Sequence, residues 1–188
     1  MLLNYDDVRM VHFELTSRCN DACHMCPRNL NGGALNPELE LNSWTYDDFV
    51  EYMDHEFLLQ LEKIFFCGNY GDPALEKDLT KFSRYIIENY PNIKLAVHTN
   101  GSVQNPDWWY EMGQLYNIDN KHDVIWSIDG LEDTNHLNRR NTIWSKIMEN
   151  SRAFIEAGGI AHCKLLVFKH NEHQIEEARN LINTMKLK

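Results

Sequence analysis

Five times along this chain a short apolar run is followed by a longer amphipathic one, and that alternation constrains the fold more than any other feature. Residues 10–15, 63–67, 93–99, 123–128 and 161–168 have the length and apolar character of buried strands. Residues 46–61, 75–90, 106–116, 142–157 and 172–185 read as the helices between them. Local signals agree: Ser43 or Thr45 can cap the first helix, and Gly158-Gly159 stops the fourth. Strands that alternate with helices call for a parallel sheet joined by right-handed crossovers, an α/β architecture. With 188 residues, 43% of them hydrophobic, and no Pro/Gly/Ser-rich linker or internal repeat, one domain around one core is expected.

The charge balance narrows the partners. A net charge of −10 and a pI near 5.3 argue against a grip on phosphate backbones, so nucleic acid is not expected. There is no run of about twenty apolar residues. The opening MLLNYDDVRM also lacks the basic and apolar blocks of a secretory signal. A cytoplasmic protein with no membrane association is expected. Of the five cysteines, three crowd into the short stretch 19–26, which makes a disulfide framework a poor account and a metal site in reducing surroundings a better one.

In parallel α/β folds ligands bind at the carboxyl ends of the strands. Each polar motif of this chain follows a strand: 19–26 the first, Gly68-Asn69-Tyr70-Gly71-Asp72-Pro73 the second, Thr99-Asn100-Gly101 the third, and Ser127-Ile128-Asp129-Gly130 the fourth. Cys19, Cys23 and Cys26 form a Cys-x-x-x-Cys-x-x-Cys arrangement. Closed iron–sulfur and structural zinc sites want four protein ligands, so three closely spaced thiolates leave one metal position open. A four-iron cluster with one free iron is one reading of that spacing. A zinc knuckle completed by His24 or His12 is the other.

Together with the preceding strand, Val11 to Arg18, the three cysteines resemble the signature of the radical S-adenosylmethionine (radical SAM) superfamily. The Gly68 to Pro73 motif, Thr99 to Gly101, Ser127 to Gly130 and the His136 to Arg140 segment follow in that family's order. The resemblance covers residues 10–185 and is similar in detail to the branch that often carries an auxiliary-cluster (SPASM or twitch) extension. It implies an α/β fold that is a partial (β/α) barrel of TIM type, with five βα units visible of the usual six. Residues 1–188 would then be the core domain, without the sixth strand or any auxiliary-cluster extension.

The same resemblance implies a 4Fe-4S cluster on Cys19, Cys23 and Cys26, with S-adenosylmethionine chelating the open iron. Its reductive cleavage gives a 5'-deoxyadenosyl radical that abstracts a hydrogen atom from a substrate. Cofactor contacts are expected first from Met25, which stands where the family commonly has an aromatic residue. Gly68, Asn69, Tyr70, Gly71 and Asp72 follow, their glycines letting backbone carbonyls approach the cofactor ammonium. Asn100 is a further candidate, and Ser127 and Asp129 can reach ribose hydroxyls or the polar end of the cofactor. Arg140, in preference to Arg139, is expected at its carboxylate. A peptide or protein is the first expectation for the substrate, and an external protein such as a flavodoxin or ferredoxin for the electron donor. The competing class is a non-catalytic iron–sulfur or zinc-binding module.

Other notable residues have structural explanations. Cys67 and Cys163 sit on apolar strands, where lone cysteines are ordinarily inert core residues. His98 reads as a satisfied core histidine and Trp108-Trp109 as packing residues.

Overall fold

The computed structural model describes residues 4–185; the first three residues of the opening segment lie outside the described residues. Five parallel strands, β1 (Met10–Phe13), β2 (Lys63–Phe66), β3 (Lys94–Thr99), β4 (Asp123–Ser127) and β5 (Ile160–Lys164), lie side by side in the order of the sequence. That order decides the architecture. A doubly wound sheet reverses its strand order and covers both faces with helices, whereas a sheet that always steps to the same side keeps its right-handed crossovers on one face, as a barrel does. The expected partial (β/α) barrel of five units is what forms.

Strand periodicity sorts the side chains. Ile64, Phe66, Leu95, Val97, Val124, Trp126 and Ala161 are buried in one core with the helices. Positions of opposite parity, among them His12, Cys67, His98, Ser127 and Lys164, belong to the helix-free face. Among the described residues no helix is long and apolar enough to cross a membrane.

The helices are α1 (Tyr46–Tyr52), α2 (His55–Gln60), α3 (Leu79–Asn89), α4 (Pro106–Tyr116), α5 (Asn135–Asn138), α6 (Trp144–Glu156) and α7 (Ile175–Thr184). The single helix expected over residues 46–61 is split into α1 and α2. Thr45 opens α1 with a capping box to Asp48, and Asp54 then accepts from the Phe57 N–H at 3.0 Å to open α2. A cap in the middle of a periodic run offers the backbone an alternative to continuing the helix. Helix α3 begins late for a related reason: Asp72 caps a short 3-10 turn, Pro73–Leu75, ahead of it. Strands β1 and β5 stop short of their apolar runs because the following backbone bonds elsewhere. Leu15 O accepts from Trp44 N at 2.9 Å, and Leu166 N donates to Asp129 at 2.9 Å.

Aromatic rings dominate the core. Phe49 meets Phe13 and Phe82 edge-on at 5.1 Å, and Trp109 packs on Trp126 at 4.6 Å. Each such ring contributes about 1.5–3 kcal/mol by burial, with about 0.5–1.5 kcal/mol more from ring geometry. Gly113 lets α4 and α6 approach: a Cβ there would lie 2.5 Å from Phe154 O and 2.7 Å from Ala157 Cβ. In an isolated helix alanine would be better than glycine by about 0.5–1 kcal/mol, and here the steric contact reverses the sign. Gly113→Ala is expected to lower the unfolding free energy by about 1–3 kcal/mol in a urea titration. A gain in stability would show that the two helices do not touch at this point.

Candidate functional site

The stretch from Thr16 to Asn42 contains no helix or named strand, so its backbone groups must find partners elsewhere. At its base, Thr16 Oγ1 and Ser43 Oγ are 2.7 Å apart, Ser17 N donates to Asn42 O at 2.9 Å, and the buried Arg28 donates through Nε to Ser17 O at 3.2 Å. Further out, loops from other strand ends take over. Arg18 O accepts from Asp72 N at 2.8 Å, Ala22 N donates to Arg140 O at 3.0 Å, and His24 N donates to Asn138 O at 3.2 Å.

The loop held in this way brings Cys19, Cys23 and Cys26 to the wall of one cavity of about 270 Å³. The same cavity is lined by residues 68–72, Asn100, Ser127, Arg139 and Lys164. A larger groove of about 470 Å³ between Glu14, Trp44, Tyr52 and Tyr70 contains none of the cysteines. The cysteine chemistry therefore lies in the smaller space.

Each thiol has polar company. Asp21 N donates to Cys19 Sγ at 3.4 Å and Asn100 Nδ2 to the same sulfur at 3.8 Å. Arg139 Nη1 donates to Cys23 Sγ at 3.8 Å, while Cys23 Sγ donates to Asp21 Oδ2 at 2.9 Å. Cys26 Sγ donates to Asn69 O at 3.7 Å. Burial, and after it the Asp72 carboxylate, pushes Cys19 up to about 12; burial and then Asp21 raise Cys23 as well. In the metal-free protein these groups are neutral thiols, and metal binding must displace their protons.

A single zinc ion needs its donors on a common centre. Among the described residues no three His, Cys, Asp or Glu side chains form such a group. His24 is exposed with Nδ1 at 3.0 Å from Asn31 O, and His12 Nε2 lies 3.0 Å from Cys67 Sγ, so neither adds to the cysteine set. Three thiols set around a cavity wall suit the separate irons of a cluster.

The motif after β2 nests against the base of the cysteine loop. A Cβ on Gly71 would lie 1.8 Å from Thr16 O, so only glycine fits there. Asp72 lines the cavity, but its carboxylate is occupied: it accepts from Ala74 N at 3.0 Å, Thr99 Oγ1 at 2.9 Å and Asn100 N at 2.7 Å. It thereby ties the turn after β2 to the turn after β3. Asn69 Nδ2 is held by Glu14 Oε1 at 2.7 Å.

Three of the expected cofactor contacts stand off the cavity wall. Met25 is 75% exposed at the tip of the loop and does not line the cavity. Asp129 lies beyond the end of β4, where the chain has turned away from the helix-free face, and it is fully buried. Its oxygens accept from Leu166 N at 2.9 Å and Asn138 Nδ2 at 2.8 Å and pair with Arg139 Nε at 2.7 Å. Arg140 donates through Nη1 to Gly32 O at 2.7 Å, clamping the cysteine loop from behind, and it is Arg139 that reaches the cavity wall. Burial opposes the charge on Arg139, but Asp129, then Cys23 and Asp21, outweigh it and raise its pKa.

Cys67 and His98, expected in the core, also line the cavity, and His98 Nε2 is buried without a hydrogen-bond partner among the described residues. Cys163 packs against the core as expected. Parity with Ser127 along adjacent strands was the signal that could have found Cys67, His98 and Lys164.

Residues 13–182 match the radical SAM superfamily. Over 105 residues the chain is 30% identical to the FeMo cofactor biosynthesis protein NifB of Methanocaldococcus jannaschii, a stretch that covers 54% of this chain and 35% of that protein. Its fold is similar to that of native anSMEcpe with bound AdoMet, with a TM-score of 0.71 at 18% identity over 96% of this chain and 49% of the other. It is also similar to Streptococcus suis SuiB bound to S-adenosylmethionine, with a TM-score of 0.71 at 14% identity over 95% of this chain and 39% of the other. The chain spans about half the length of these relatives or less. Since the family match runs from the end of β1 into α7, the chain belongs to the radical SAM superfamily, whose enzymes use a 4Fe-4S cluster and S-adenosylmethionine.

Proposed function

We propose that residues 1–188 are the core domain of a radical SAM enzyme in which Cys19, Cys23 and Cys26 hold the cluster and the substrate is a peptide or protein. The observation that carries this reading is the single cavity that gathers the three thiols, the Gly68 to Asp72 turn, Asn100, Ser127 and Arg139. Cys19, Cys23 and Cys26 would hold the 4Fe-4S cluster, and the chemistry it would supply there is one-electron reductive cleavage of S-adenosylmethionine for hydrogen-atom abstraction from the substrate.

The chain's own residues bind and orient. The N–H donors of Asn100 and Arg139 face the sulfurs of Cys19 and Cys23, where they stabilise negative charge on the thiolates. Backbone carbonyls of the Gly68 to Asp72 turn receive the cofactor ammonium, and the Ser127 hydroxyl serves the ribose. Arg139, held at Nε by Asp129, presents its planar fork to the cofactor carboxylate, a bidentate geometry that lysine cannot reproduce. Asp129 acts through Arg139 and is a positioning residue.

Two similar folds were determined with peptides, anSMEcpe with AdoMet and Cp18Cys peptide and SuiB with precursor peptide SuiA, which supports a peptide or protein substrate here. A reduced flavodoxin or ferredoxin would supply the electron.

Anaerobically reconstituted protein is expected to show a cluster absorption that shifts on adding S-adenosylmethionine and to release 5'-deoxyadenosine with dithionite. Cys→Ala at position 19, 23 or 26 should abolish stable iron binding, and Cys163→Ala should keep it. Zinc in place of iron, or a cluster that never yields 5'-deoxyadenosine, would return the protein to the class of non-catalytic modules. Arg139→Lys should weaken S-adenosylmethionine binding about tenfold or more in a titration of the cluster spectrum, and Arg140→Lys should leave it within about threefold. The opposite ranking would put Arg140 at the carboxylate.

A further inference from the structure

The interior of a closed barrel is filled with apolar side chains. The helix-free face of this sheet carries Phe65, Ala96 and Ile125, but also His12, Cys67, His98 and Lys164. Although the chain has a net charge of −10, the carboxylates on this face are occupied. Glu14 accepts from Asn69 Nδ2 at 2.7 Å, and Asp123 pairs with Lys94 Nζ at 2.5 Å.

Lys164, at the end of β5, reaches the cavity wall and forms no ion pair among the described residues. Its charge acts on Cys67 and His98, whereas that of Arg139 acts on Cys23 and Asp21. Three cations thus line one cavity: Arg28 donates to Ser17 O, Arg139 is paired with the carboxylates of Asp129 and Asp21, and the Lys164 ammonium has no such partner among the described residues. Beside Lys164 the buried Nε2 of His98 lacks a partner among the described residues.

We propose that Lys164 and His98 form an anion-binding subsite for the substrate, seating a carboxylate or phosphate group on the molecule that loses the hydrogen atom. The assignment rests on the radical SAM reading above, which gives Arg139 to the cofactor carboxylate and so leaves Lys164 for a second anion. The Lys164 residue is exposed at the cavity mouth, and its ammonium, without a counter-ion, attracts an incoming anion. The imidazole of His98 can add a hydrogen bond through its unpartnered nitrogen. A site built this way selects by charge, because a neutral isostere leaves the cation unpaired.

The test is calorimetric titration of the full chain, cluster-free and cluster-loaded with saturating S-adenosylmethionine, using blocked single residues as probes. N-acetyl-glutamate N-methylamide and N-acetyl-phosphoserine N-methylamide separate the carboxylate and phosphate sources, and the glutamine counterpart is the neutral control. Saturable binding of either anion, with no binding of the glutamine probe, is expected. Lys164→Gln should weaken it about tenfold or more, Lys164→Arg should restore it to within about threefold, and Lys121→Gln, far from the cavity, should change nothing. A retained shift of the cluster spectrum with S-adenosylmethionine shows that Lys164→Gln still folds and binds cofactor. Equal binding of the glutamate and glutamine probes, indifference to Lys164→Gln, or displacement of the anion by S-adenosylmethionine would overturn the proposal. Failure of the cluster to form would instead overturn the functional reading, and the cluster-free titration would still decide the subsite.

Discussion

A loop without regular secondary structure keeps one shape only if its backbone polar groups are satisfied by something rigid. The cysteine loop meets that condition by bonding to other strand ends: Asp72 after β2 and the residues 138–140 after β4, with Ser43 and Asn42 closing its base. The sheet supplies the rigidity. Because its strands run in sequence order and in parallel, their carboxyl ends fall along one rim, and loops remote in sequence become neighbours there. Where Cys19, Cys23 and Cys26 stand is thus a property of the whole rim.

The same rim concentrates charge that burial would otherwise forbid. Asp72 and Asp129 are both buried, and each is compensated differently. Asp72 collects neutral donors from three residues, yet burial still raises its pKa. Asp129 has backbone and amide donors and also the guanidinium of Arg139. Removing one partner from such a buried pair typically costs about 3–5 kcal/mol, because the other charge is left without compensation. Asp129 and Arg139 therefore fix each other, which is why the arginine nearer the strand reaches the cavity while its neighbour faces outward.

Much of this was legible in the sequence. Strand and helix order, the parallel sheet and the convergence of polar motifs follow from apolar runs whose lengths differ enough to be told apart. The spacing of the three cysteines pointed to metal chemistry but by itself left a four-iron cluster and a zinc site both open. Backbone competition was harder to see. The cap at Asp54 that splits the helix over residues 46–61 looks like any polar residue on an amphipathic face. Strand parity puts Ser127 on the helix-free face, where it lines the cavity, but β4 ends at that residue and parity says nothing of Asp129, which is buried beyond it. Adjacent arginines on a short irregular segment have no periodicity to separate them, so Arg139 and Arg140 could be told apart only by their partners, Asp129 and Gly32.

The hydrogen bond between Arg139 and the Cys23 sulfur joins residues 116 positions apart. Contacts of such long sequence separation form late, since chain closure over that distance is entropically unfavourable until the intervening strands have docked. A nascent chain emerging from the ribosome presents its three thiols long before the segment that shapes their surroundings has been synthesised. The cysteines are therefore open to stray metals and oxidants during synthesis, and the contacts that Asn100 and Arg139 make to their sulfurs are complete only once the fourth strand and the segment after it are in place.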